Sequence, residues 1–366
     1  MRSPAETSID AVPAGTVVTA PGPVLDAPGE RLSVRREDRL EVYDRAAFLD
    51  GGGPLRSVDI PAGSPAAPLD DGAVLAEPDR VRAVAGDGTT RWELPHPPWR
   101  GGSGQPRAPG APAVSPDGAL IGVVVPALAG EPGDRVLFRD ERTRLGYGRD
   151  VLLLVEAANG RVRARRPVNS CASVVTQRWH PGGGLLALSC WTAWYSWSTW
   201  WVLPRHDGLH LRGGARMREV VGFVPGSSRA LSLRRSERLA PGDDRDELAA
   251  HAVGTDEPVT LYDLAGLAGR EAGTDPAEAS RGHRESDTVF EDAHLLDARH
   301  VLVTARQRRP GRRPAPRHWL CDTATLRPLG RMRYPEPPGP VTPLGDGTWL
   351  TEGSRGFHRW SLPDAG

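Results

Sequence analysis

The chain has 366 residues carrying 46 basic and 46 acidic side chains, and every basic residue is an arginine. Balanced charge leaves no surplus for holding nucleic acid or anionic lipid over the whole surface, so neither is expected as a partner. The lack of lysine removes Schiff-base chemistry and the phosphate-binding lysine of a P-loop, both of which need a primary amine. Cys171, Cys190 and Cys321 are few and widely spaced, which suits a reducing, cytoplasmic setting better than a disulfide framework. The first fifteen residues lack the apolar core of a signal peptide, and no later run has the length of a membrane span. With 43 glycines and 36 prolines, the composition favours many short strands and turns.

In chain order, residues 1–14 read as a flexible lead-in, and residues 15–366 as one repetitive domain. Seven turns end at Gly29, Gly72, Gly118, Gly183, Ser228, Arg299 and Gly347. Three residues after each comes Leu32, Leu75, Ile121, Leu186, Leu231, Leu302 or Leu350. The spacings of 43, 46, 65, 45, 71 and 48 residues match one four-stranded propeller blade, twice with an insertion. A second extended run, ending near an acidic or glycine turn, follows six anchors. These runs are Leu40–Asp44, Val81–Gly88, Leu152–Gly160, Trp200–Gly208, Val259–Asp263 and Trp319–Asp322, and they read as third strands. Helical signals are nearly absent; Ser236–Val253 is broken by Pro241 and Gly242 and reads as an irregular loop. The last unit has only two strands after its turn, and Thr16–Ala20 is placed to supply its missing outer strand. The expectation is an all-β, seven-bladed propeller of antiparallel four-stranded blades, closed by the N-terminal strand.

Ser115-Pro-Asp-Gly118 and Trp179-His-Pro-Gly-Gly183, each before an apolar run, resemble the turn between the first two strands in WD-repeat-like bacterial β-propellers. Cys321-Asp-Thr-Ala-Thr325 is similar to that family's turn between third and fourth strands. The likeness covers almost the whole chain, is strong in three or four units, and includes no Trp-Asp dipeptide. It implies that loops joining second to third strands, and loops joining blades, lie on one face. The extra sequence falls there, near residues 126–150, 236–258 and 270–287, at Gln307–Arg317 and in the link His96–Gly110. That face is the expected binding face.

Six of the eleven tryptophans lie between Trp179 and Trp201. Trp194, Tyr195 and Trp197 sit nearest the tip of their hairpin, where large aromatics serve as anchors for a partner, whereas Trp191, Trp200 and Trp201 read as packing between blades. Arg308, Arg309, Arg312 and Arg313 interleave with prolines in the sixth unit's loop and supply secondary contacts to an acidic segment. The densest ligand-like group, Glu291, Asp292, His294, Asp297 and His300, straddles a turn, so its members are expected to face different directions. His180 reads as a turn residue. No catalytic residue, metal site or cofactor is expected. The function that follows is a monomeric, non-catalytic recognition or scaffold propeller that docks an unidentified protein partner. The alternatives are an enzyme or small-molecule binder using the central channel, and a propeller subunit of a separately encoded enzyme.

Overall fold

The computed structural model describes residues 7–19, 24–26, 30–98, 110–126, 138–140, 145–147, 150–168, 175–192, 196–206, 208–216, 218–234, 246–255, 257–264, 267, 288–307, 316–354 and 356–363. They form seven four-stranded antiparallel blades, a seven-bladed β-propeller. Two compact units divide the chain: Gly22–Met217 holds blades 1 to 4, and Met1–Pro21 with Arg218–Gly366 holds blades 5 to 7.

In the first unit the strands follow one another in each sheet. Blade 1 is Val24–Asp26, Arg31–Arg35, Arg39–Asp44 and Arg56–Asp59. Blade 2 is Ala66–Leu69, Gly72–Ala76, Arg80–Ala85 and Thr90–Pro95. Blade 3 is Ala113–Val114, Leu120–Pro126, Asp150–Glu156 and Val162–Val168. A small hairpin, Phe138–Asp140 with Leu145–Tyr147, lies within the chain between its second and third strands. Blade 4 is Val175–Trp179, Leu186–Thr192, Ser196–Arg205 and Gly208–Arg216.

The second unit comprises blade 5 (Glu219–Phe223, Arg229–Arg234, Glu247–Ala252, Pro258–Asp263) and blade 6 (Thr288–Leu295, His300–Gln307, Arg317–Asp322, Pro328–Arg333). Blade 7 has Val341–Pro343, Trp349–Gly353 and Gly356–Ser361, and Val12–Val18 pairs antiparallel with the last of these as its fourth strand. Ser8–Asp10 adds a parallel fifth strand to blade 6. Strand structure therefore begins inside the stretch that the sequence sets apart as a flexible lead-in. Val17 and Ala11 explain the order, being 2% and 5% exposed.

The seven marker residues all fall on second strands, and all are 0% exposed. They do not share one face. Leu75, Ile121 and Leu186 pack toward the preceding blade, while Leu231 and Leu302 pack toward the following one. Side chains alternate along a strand, so a turn one residue longer or shorter is enough to reverse the side chosen. The same alternation explains why second and third strands are apolar throughout. In blade 3, Val151, Leu153 and Val155 enter the core shared with blade 2, and Leu152 and Leu154 enter the core shared with blade 4. Each such interior strand is buried on both sides.

Blade 5 corrects the sequence reading. Its third strand is Glu247–Ala252, inside the stretch expected to be a loop, and Val259–Asp263 belongs to the outer strand instead. Glu-Leu-Ala-Ala-His-Ala carries no β-branched residue, so its local signal is weak; packing decides its state. Leu248 and Ala250 fill the core shared with blade 6, and His251 Nε2 meets Ser232 Oγ at 2.8 Å. A five-residue helix, Arg45–Leu49, follows the third strand of blade 1, capped by Asp44 accepting from the Ala47 amide at 2.9 Å. No helix among the described residues is long and apolar enough to cross a membrane.

Candidate functional site

Strand direction gives each blade two ends. The turns joining first to second and third to fourth strands lie at one end; the second-to-third loops and the links between blades lie at the other. The first end is held by local hydrogen bonds. In blade 3, Ser115 Oγ donates to Asp117 at 2.5 Å and accepts from the Leu120 amide at 2.9 Å, and Gly118 takes a φ of 70° that the turn requires. In blade 4, Nδ1 of His180 accepts from the Gly182 amide at 3.0 Å, the turn role its position predicts. In blade 6, the Asp322 carboxylate accepts from the Ala324 and Thr325 amides and from the Thr325 hydroxyl.

The four longest connections lie at the second end, 95–113 and 126–150 in the first unit and 234–247 and 263–288 in the second; next come 44–56, at the first end of blade 1, and 307–317, at the second end of blade 6. Trp194 and Tyr195 belong to the hairpin tip of blade 4, and Arg308, Arg309, Arg312 and Arg313 to the second-to-third loop of blade 6; all six lie outside the described residues. Trp197, at the start of the third strand and opposite Trp191, is buried at 5% exposure. Its ring is spent on packing rather than offered to solvent. Trp201 is fully buried, and Trp200 packs against the core shared by blades 3 and 4.

At this same end the structure also places buried or half-buried glutamate–arginine pairs. In blade 1, Glu41 receives hydrogen bonds from Arg36 at 2.8 Å, Arg39 at 3.0 Å and Tyr43 at 2.8 Å. Burial pushes that carboxyl up, but the bonds from Tyr43 and Arg36 outweigh it and hold Glu41 below the usual range. In blade 2, Arg82 Nε donates to Glu77 at 2.7 Å. In blade 5, Glu247 takes the buried Arg218 guanidinium and lies 3.7 Å from Arg234. In blade 6, Arg306 donates to Glu291 at 2.5 Å. Each pair ties strand ends together where a long or tight second-to-third connection begins. A signal was present in blades 1 and 2, where opposite charges five residues apart, Arg36 with Glu41 and Glu77 with Arg82, span a tight loop.

The ligand-like group of blade 6 is divided among separate pairings. His300 Nδ1 lies 2.9 Å from Asp297 within the turn, whereas Glu291 pairs with Arg306 and His294 lies 3.7 Å from Asp292. Among the described residues, no three His, Cys, Asp or Glu side chains gather as a metal site.

These features define a WD40-like β-propeller with one elaborated end in each unit. Among solved structures, the chain is similar to BamB from Moraxella catarrhalis, at 9% identity over 94% of this chain and 84% of that one, TM-score 0.50. It is also similar to the Pan2 WD40 domain of Neurospora crassa, at 10% identity over 98% and 95%, TM-score 0.50. Likeness at this identity shows the fold alone. No family model matches the sequence, and neither does any curated protein.

Proposed function

We propose that the chain is a non-catalytic recognition propeller of the cytoplasm that docks a protein partner on the loop-bearing ends of its blades. The observation that carries this reading is the asymmetry between blade ends. The first-to-second turns are short and closed by their own hydrogen bonds, while the longest segments leave the opposite ends, one of them, 234–247, beside the buried Arg218–Glu247 pair. Rigid strands presenting variable loops are a common arrangement for recognition. Trp194 and Tyr195 act as the aromatic anchors, Trp197 supports their hairpin from within, and Arg308, Arg309, Arg312 and Arg313 contact acidic groups of the partner. Buried thiols at Cys190 and Cys321 are in keeping with a reducing compartment.

The test is capture of partners from the native cell by the wild-type chain and by the double variant Trp194→Ala/Tyr195→Ala. The expected result is one stoichiometric partner whose recovery falls at least about tenfold in the variant, the scale of losing one or two anchors. Equal recovery by a variant of unchanged melting temperature contradicts the reading.

A further inference from the structure

Ser8–Asp10 lies along the outer edge of blade 6, where neither neighbouring blade needs it. Blade 6 has four strands of its own, and Val12–Val18 alone completes blade 7. The segment pairs in parallel with Pro328–Arg333, setting Ser8 beside Arg331, Ile9 beside Met332 and Asp10 beside Arg333, whereas the strands of blade 6 itself pair antiparallel. Backbone hydrogen bonds mark its two ends. The Arg331 amide donates to the Thr7 carbonyl at 2.8 Å, and the Ala11 amide donates to the Arg333 carbonyl at 2.9 Å.

The edge does more than pair with this segment; it also selects side chains. Gly330 leaves a notch, because a Cβ there would lie 2.7 Å from the Thr7 carbonyl oxygen and 2.9 Å from Ile9 Cδ1. Ile9 lies over that notch, half-buried, against the core that holds Met332 and Trp360. Arg333 then grips Asp10 with two parallel bonds, Nε to Oδ1 at 2.8 Å and Nη2 to Oδ2 at 2.9 Å. The ladder sets direction, the notch takes an apolar side chain, and the guanidinium fork takes the carboxylate that follows it.

The segment is held lightly. Parallel pairing is the less stable kind per residue, and only three residues take part. The side chains of Arg333 and Asp10 are 59% and 68% exposed, where an ion pair contributes little. Terminal segments with few buried contacts are the first to open. Ala11, 5% exposed, follows directly, so opening can stop there and leave Val12–Val18 in its ladder.

We propose that the outer edge of blade 6 docks an extended segment of a partner protein in which an apolar residue is followed directly by an acidic one, and that Ser8–Asp10 is a built-in occupant which such a segment displaces. The chemistry of the occupant is the one the edge already displays: an apolar side chain over Gly330 and a carboxylate at Arg333. Docking on the long loops uses none of these residues, so either reading can stand without the other.

The probe is the acetylated and amidated peptide Thr-Ser-Ile-Asp-Ala, titrated into the isotope-labelled full chain and followed by NMR at the Arg331 and Arg333 amides. Saturable one-to-one binding is expected with the variant Ile9→Gly/Asp10→Arg, which frees the edge and keeps the closing strand. The wild type is expected to bind the peptide at least about tenfold more weakly, since its own tethered segment competes. Gly330→Val added to the freed variant, and the peptide Thr-Ser-Asn-Asp-Ala, are each expected to weaken binding at least about tenfold. Melting curves establish that the variants are folded. In the wild type alone, the Arg331 amide is expected to exchange its hydrogen at least about tenfold faster than the slowest amides of the Val12–Val18 ladder, a measurement that needs no variant. The proposal is overturned by no saturable binding to the folded freed variant, by equal affinity in the wild type or after Gly330→Val, or by an Arg331 amide as protected as that ladder. A wild-type dimer that Ile9→Gly/Asp10→Arg abolishes assigns the edge to a second copy and overturns it too.

Discussion

His318 is held neutral by its surroundings. It is 1% exposed, and its Nδ1 lies 2.8 Å from the Tyr334 hydroxyl, which itself lies 3.2 Å from the indole nitrogen of Trp349. The indole can only donate, so the Tyr334 oxygen accepts from it while sharing a second hydrogen bond with His318 Nδ1. Burial, with His294 and Arg306 adding like charge, pushes the imidazole down to about 3. The sign of the pH effect follows. Unfolded, this histidine takes a proton as pH falls below about 6.5, whereas the folded form refuses it until about pH 3. Its contribution is complete above pH 6.5 and is lost progressively between those limits, at up to about 1.4 kcal/mol per pH unit. Thermal unfolding of His318→Gln between pH 6 and pH 4 is therefore expected to depend on pH less steeply than the wild type. An unchanged slope contradicts this assignment. Cys321 follows the same logic with the opposite direction: burial pushes its thiol up to about 12, so it is inert as a nucleophile.

Strands and turns were legible where their signal is local. Gly118 and Gly183 adopt φ values of 70° and 71°, which their turns require and glycine supplies at little cost. The markers three residues on lie on buried second strands because a propeller's interior strands are covered on both faces. What escaped notice depends on contacts distant in sequence. Leu248 and Ala250 make a strand only because blade 6 covers them, and the pairing of Arg218 with Glu247 joins residues far apart in sequence. Composition concealed such pairs, since a chain without lysine places arginine at exposed and buried positions alike. The closing strand was legible because the last unit is one strand short. Val12–Val18 fills that place, with Val17 facing Phe357 across the ladder. Deleting residues 1–18 strips the edge from Gly356–Ser361 and exposes apolar surface. A loss on the order of 3 kcal/mol in urea unfolding is expected from the buried side chains and ladder hydrogen bonds. An unchanged urea midpoint is the contrary result.

At the scale of the molecule, the repeat supplies a scaffold and the interruptions of the repeat supply what differs from blade to blade. The spacings of 65 and 71 residues point to blades 3 and 5, and the structure places the excess at the loop-bearing end of each unit. Propellers host unrelated activities, so the fold alone names no partner. The most direct test places a photo-crosslinking amino acid at Tyr195, at the loop-bearing end of blade 4, and separately at Asn159, in the third-to-fourth turn of blade 3. Irradiation in the native cell is predicted to give one discrete adduct from position 195 and none from position 159. Adducts from position 159 alone, or the same adducts from both positions, contradict docking on the loop-bearing ends.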